Sequence, residues 1–139
     1  MMTAQHTEVP LSQQERLQQE IRRGVSHALA EDLGYLPLLQ GDITASLIPE
    51  QQQAIATIIT REDCVICGVD WVEEVFQQLS EQVVLQWHVK DGDEVKANTL
   101  LVEISGPARI LLTGERTALN FLQTLSGTAT TTARYVALL

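Results

Sequence analysis

The segment from Gly106 to Gly127, GPARILLTGERTALNFLQTLSG, constrains the fold more than any other part of the chain. At about 100° per residue, a helix sorts it into two chemically opposite stripes. Leu111, Ala118, Leu119, Leu122 and Leu125 make one, and Arg109, Thr113, Arg116, Asn120, Gln123 and Gly127 make the other. The apolar stripe requires a core to pack against, so the rest of the chain has to supply one. The polar stripe carries two arginines with amides and hydroxyls beside them and no acid. A guanidinium fork matches a carboxylate or phosphate with two parallel hydrogen bonds, which makes Arg116 and Arg109 candidate contacts for an anionic ligand. A plain solvated face is the alternative.

A chain of 139 residues is about one domain, long enough for a real apolar core. Its two cysteines are too few for a disulfide framework and suit a reducing compartment. No window approaches the roughly 20 apolar residues that cross a bilayer. The start, MMTAQHTE, lacks a basic region followed by an apolar stretch. A soluble, cytoplasmic protein with no membrane partner is expected.

Charge is unevenly spread. Residues 1–103 carry 6 Lys/Arg against 17 Asp/Glu, whereas residues 104–139 carry Arg109, Arg116 and Arg134 against Glu115 alone. Neutralising phosphates needs a basic surface, so a body with net charge −9 is a poor nucleic-acid partner. A small anion held locally by the arginine stripe is compatible with this distribution.

Local signals order the elements. Ser12-Gln-Gln-Glu15 is a capping box, the Ser hydroxyl accepting from the Glu amide while the Glu side chain reaches back. Leu17, Ile21, Val25, Ala28 and Leu29 then repeat at helical spacing, with Gly34 placed to end the helix. Tyr35 to Gln40 reads as a loop leading to Gly41-Asp42-Ile43-Thr44. Ala54 to Thr60 is β-branched and apolar enough for a strand, and Val65 to Gly68 makes a second after a Glu62-Asp63 turn. Asp70 is placed to cap a helix through Leu79, with Trp71, Val72, Val75, Phe76 and Leu79 on its apolar face.

Val83, Leu85, Trp87 and Val89 alternate with Gln86 and His88 as in a half-buried strand, and Leu100, Val102 and Ile104 repeat the pattern beyond an Asp91-Gly92 turn. Gly106-Pro107 ends the sheet and opens the arginine helix, which Gly127 is expected to break before a last segment from Ala129 to Leu139. Residues 1–10 are expected to be a disordered tail, and residues 11–139 one α+β domain. The apolar ending Tyr135-Val-Ala-Leu-Leu139 stops in mid-pattern, as a piece of a larger protein would, and a short chain with a docked terminal helix is the alternative.

Several motifs carry a resemblance. Glu31-Asp32-Leu33-Gly34, Gly41-Asp42-Ile43-Thr44, Arg61-Glu62-Asp63, Trp71-Val72-Glu73-Glu74-Val75-Phe76, Val89 through Asn98 and, above all, Leu112 through Gly127 resemble the N-terminal part of bacterial quinolinate phosphoribosyltransferases. The resemblance spans roughly residues 28 to 139. It implies an antiparallel open-faced sheet, hammerhead-like and flanked by helices, ahead of an α/β barrel that this chain does not contain. It also implies the family's reaction, in which quinolinate and phosphoribosyl diphosphate give nicotinate mononucleotide, carbon dioxide and diphosphate in NAD biosynthesis. The homodimer, the magnesium bound by the barrel, and the capping of one subunit's barrel by the other's N-terminal domain are further implications. By the same resemblance Arg116, in Gly114-Glu115-Arg116-Thr117, meets a quinolinate carboxylate across the dimer, while this chain alone is inactive and holds no catalytic residue or metal.

Other features read more plainly. Cys64-Val-Ile-Cys67 has the spacing of a redox or zinc pair, but positions three apart in a strand point to opposite faces and there is no second pair. His6, His27 and His88 lack a suitably spaced acid along the chain. Glu115 points toward the apolar side of the helix, where a buried carboxylate would need a donor. Val89 through Ile104 also resembles the strand-turn-strand of biotinyl and lipoyl carrier domains, although Lys90 and Lys96 lack the context of a modified lysine. A stand-alone dimerisation module is a third reading.

Overall fold

In the computed structural model, residues 11–33 and 47–139 are described. The expected N-terminal tail, Gly34, the loop after it and Gly41-Asp42-Ile43-Thr44 lie outside these residues. Helix α1 spans Gln13–Asp32, and Ser12 Oγ accepts from the Glu15 amide at 3.1 Å, which is the hydroxyl half of the expected capping box. Ile21, Val25 and Leu29 are buried, whereas Leu17, one turn earlier, is exposed because the packed face of the helix begins at Ile21.

Strand β1 covers Gln53–Ile59, β2 Cys64–Val65, β3 Val84–Trp87, β4 Glu94–Val95 and β5 Leu100–Pro107. All pairings are antiparallel. They form a three-stranded sheet in the order β1-β5-β3 and a two-stranded ribbon of β2 with β4. The period-2 rule then assigns the faces. Ala56, Ile104 and Leu85 stand in one cross-strand row and Ile58, Val102 and Trp87 in the next, all turned to the core, while Ile55 and Val84 flank Ser105 on the outer face. The alternation read from 83 to 89 holds residue by residue. On β5 it does not. Leu101 is as buried as Ile104, and the β1 register shifts beside it between Ile58 and Ile59. An extra residue in a ladder turns neighbouring side chains to the same side.

Helix α2 runs Val69–Leu79 and buries Val72, Val75 and Phe76. Its cap differs from expectation. Gly68, at φ 117°, is the N-cap residue, and the exposed amides are met by Asp91 Oδ1, which accepts from Gly68 at 2.9 Å and from Val69 at 3.1 Å. Asp70 lies inside the first turn. A carboxylate at a helix N-terminus satisfies free N–H groups and opposes the positive end of the dipole.

Helix α3 is continuous for 30 residues, Ala108–Ala137, and Gly127 does not break it. A helical glycine costs about 1 kcal/mol relative to alanine, too little to end a helix that tertiary contacts hold on both sides. Those contacts are specific. Ser126 Oγ accepts from the Cys67 amide at 3.0 Å and donates to the Cys67 carbonyl at 3.1 Å, and Thr130 Oγ1 accepts from the Val65 amide at 3.0 Å. The three helices pack together, and α3 lies against β1, β5 and β2. Their closest approaches need glycine: a Cβ on Gly24 would stand 2.8 Å from the Trp71 ring, and one on Gly114 would stand 2.6 Å from the Phe76 ring.

Candidate functional site

Helix α3 shows three faces where the sequence suggested two. Ile110, Gly114, Thr117 and Ala118 turn into the helix layer and are buried. Leu111, Glu115, Leu119 and Leu122, with Ala118 beside them, border a groove of about 1550 Å³ between α3 and the inner face of β1, and of these Leu111, Ala118 and Leu122 are buried. Arg116 and Asn120 are on neither side and are exposed. Glu115 is exposed at the groove edge, so the buried donor expected for it is not required. Thr113, grouped by periodicity with the polar stripe, is buried instead, and its Oγ1 has no hydrogen-bond partner among the described residues. The stripe fails there because the helix layer wraps further around α3 than an even division of the wheel allows.

The two candidate arginines separate. Arg109 is half-buried; its Nε donates to the Ile48 carbonyl and its Nη1 lies 3.5 Å from Glu50. It thus pins the approach to β1 onto the first turn of α3, which places the guanidinium in the fold's own contacts. Arg116, seven residues on and therefore about 10 Å along the axis, is exposed and has no hydrogen-bond or ion-pair partner among the described residues. Next to it, the Thr117 hydroxyl donates to an Asp32 carboxylate oxygen at the end of α1. The turn that carries Arg116 is therefore fixed on its inner side and open on its outer side.

Elsewhere, neighbours across the sheet correct readings made along the chain. His88 Nε2 lies 3.4 Å from Glu103 Oε2, an acid that local spacing did not reveal because β3 pairs with β5 across the loop between them. Cys64 Sγ meets Thr60 Oγ1 at 3.5 Å, and Cys67 carries its thiol in a half-buried position where burial, then the charge of Asp91, push its pKa above the ordinary thiol value. Both cysteines are free thiols. Among the described residues, no group of three or more His, Cys, Asp or Glu is placed to hold a metal ion. No described helix is long and apolar enough to cross a membrane.

The segment likened to a carrier-domain hairpin is committed to the fold. Asp91 caps α2, Lys96 Nζ lies 3.7 Å from Asp63, and β4 pairs with β2. Its turn is a structural junction.

Fold and site together define an open-faced α+β domain that offers a cation on a rigid helix. The chain belongs to the quinolinate phosphoribosyltransferase family: residues 42–126 match the family model described as "Quinolinate phosphoribosyl transferase, N-terminal domain". A probable nicotinate-nucleotide pyrophosphorylase (carboxylating) of Bacillus subtilis is 35% identical over 117 residues, covering 84% of this chain and 39% of that protein. The solved nicotinate-nucleotide pyrophosphorylase of Francisella tularensis superposes with a TM-score of 0.80 at 39% identity, covering 99% of this chain and 45% of that one. Its counterpart from Ehrlichia chaffeensis gives 0.75 at 36% identity, with 93% and 43% covered. The chain thus spans about two fifths of the length of the relatives it matches. The antiparallel α+β architecture read from the sequence is the one these structures share, and the carrier-domain and stand-alone module readings are not favoured.

Proposed function

We propose that this chain is the N-terminal, substrate-capping part of a decarboxylating phosphoribosyltransferase that acts as a cytoplasmic homodimer. Quinolinate and phosphoribosyl diphosphate would give nicotinate mononucleotide, carbon dioxide and diphosphate. Both substrates are anionic, so the protein has to hold like charges together and stabilise charge as the glycosidic bond forms and the carboxylate leaves. The observation that carries the reading is Arg116: an exposed guanidinium without a partner among the described residues, on a helix held from behind, inside the segment that matches the family. Its planar fork suits a pyridine carboxylate delivered from a neighbouring subunit's barrel.

Arg109 has a lesser part in the proposal, since its guanidinium is engaged by Ile48 and Glu50. Magnesium, expected from the family resemblance, finds no ligand set among the described residues. The chain alone is expected to be inactive.

The direct test is to assay the enzyme carrying this chain with quinolinate and phosphoribosyl diphosphate. Mononucleotide and carbon dioxide should appear in equal amounts. No mononucleotide, or turnover by the isolated 139-residue chain, would overturn the proposal.

A further inference from the structure

Asp32 occupies a position that helix physics disfavours. It is the last residue of α1, it follows Glu31, and no basic residue stands in that turn, so two carboxylates face the negative end of the helix dipole. A local cost of this kind points to a compensating contact elsewhere. The contact is Thr117, 1% exposed, whose hydroxyl donates to the Asp32 carboxylate. Thr117 is the residue next to Arg116.

The placement of this tie matters. The polar ties from Ser126 to Cys67 and from Thr130 to β2 begin nine residues further along α3, about 14 Å away along the axis. The Arg109 contacts lie about 12 Å in the other direction. Between them, among the described residues, Thr117 to Asp32 is the side-chain hydrogen bond that ties α3 to another element. The other inner contacts there, Gly114 against Phe76, Phe121 against Trp71 and Leu125 against Gly68, are apolar and lack the direction of a hydrogen bond. A side-chain head about 6 Å from a helix axis shifts by about 1 Å for a 10° rotation. A misplacement of that size can cost about 100-fold in a preorganised site.

We infer that Asp32 and Thr117 are positioning residues for Arg116: their hydrogen bond sets the azimuth at which the guanidinium meets a substrate carboxylate. The inference rests on the transferase reading above. It also explains why a carboxylate stands at the end of α1, where a neutral or basic residue would suit the helix better.

The test is a double-mutant cycle in the enzyme carrying this chain. Thr117→Val keeps the shape and removes the hydroxyl, Asp32→Ala removes the acceptor from an exposed position, and Thr117→Ser restores the donor. Thr117→Val and Asp32→Ala should each raise the KM for quinolinate about tenfold and leave the KM for phosphoribosyl diphosphate within about twofold. Thr117→Ser should return the quinolinate KM to within about threefold of the parent. In an Arg116→Ala background, Thr117→Val should have almost no further effect, because a residue acting through Arg116 has nothing left to position.

Equal losses for both substrates, or the same loss with and without Arg116, would make the pair a general structural tie and overturn the inference while leaving the reaction intact. An unsubstituted enzyme that does not use quinolinate would overturn the reaction and the inference together.

Discussion

The Asp91 carboxylate lies 2.9 Å from the Gly68 amide, so a turn between two strands caps a helix that begins more than twenty residues earlier in the chain. Gly68 itself has a left-handed backbone and no side chain to cap with. Capping of this kind is worth about 1–2 kcal/mol. Asp91→Ala should lower unfolding stability by about that amount, read as a shift in the urea midpoint. Asp91→Asn retains an acceptor oxygen and should lose less. A silent Asp91→Ala would show that solvent satisfies the α2 amides equally well.

Two glycines of α3 should behave oppositely. At Gly114 a methyl group would meet Phe76 Cε1 at 2.6 Å and Leu79 Cδ1 at 2.9 Å, and Phe76 is 2% exposed and hemmed in. Overpacking of a filled core costs about 1–3 kcal/mol, so Gly114→Ala should destabilise by that order. At Gly127 the same methyl would meet nothing within 4 Å. Gly127→Ala should stabilise by about 0.5–1 kcal/mol through reduced freedom of the unfolded chain. Thermal unfolding of the two variants should move in opposite directions from the parent.

Cys67 provides a pH test. Burial, and secondly the Asp91 charge, raise its thiol above the ordinary pKa. The folded state therefore disfavours the thiolate. Stability linked to this group is complete below the unfolded thiol's pKa and declines as pH rises through the folded one. Alkylation at pH 8 should be slower at Cys67 than at a cysteine in an unfolded peptide, since the thiolate is the nucleophile. Asp91→Asn, which keeps the cap but removes the charge, should speed alkylation only partly because burial is the larger cause. Full recovery of the peptide rate in that variant would show that charge dominates.

The parts of the fold written in local periodicity were legible. The inward set Val83, Leu85, Trp87 and Val89 and the buried set Ile21, Val25 and Leu29 could be read from spacing because period 2 and period 3.6 act residue by residue. What escaped depends on partners remote in sequence. The spacing of His88 gave no hint of Glu103, and Asp91 gave no hint of Gly68, because pairing of strands and packing of a turn create both contacts. Gly127 misled for the same reason: its helix is held by Ser126 against Cys67 and by Thr130 against β2, which local propensity cannot register. For the candidate site, the pattern found the stripe holding Arg116 but could not separate it from Arg109, whose contacts with Ile48 and Glu50 form only when the chain closes.

Arg116 yields the sharpest functional test. If it meets a quinolinate carboxylate, Arg116→Ala should remove a charge-assisted bidentate contact worth about 1.5–3 kcal/mol, a fall in kcat/KM of at least about tenfold. Arg116→Lys should recover part of this, since an ammonium restores the charge without the planar fork. Neither change should disturb folding, because the side chain is exposed and has no partner among the described residues. Action across a dimer makes a stronger demand. Arg116→Ala subunits mixed with subunits disabled in the barrel should form hybrid dimers, each holding one site built from an intact barrel and an intact Arg116. Such mixtures should regain activity that neither parent shows, up to about half per hybrid dimer. Hybrids that form and stay inactive would place Arg116 in the site of its own subunit, whereas full activity of the Arg116→Ala enzyme would place it in no site.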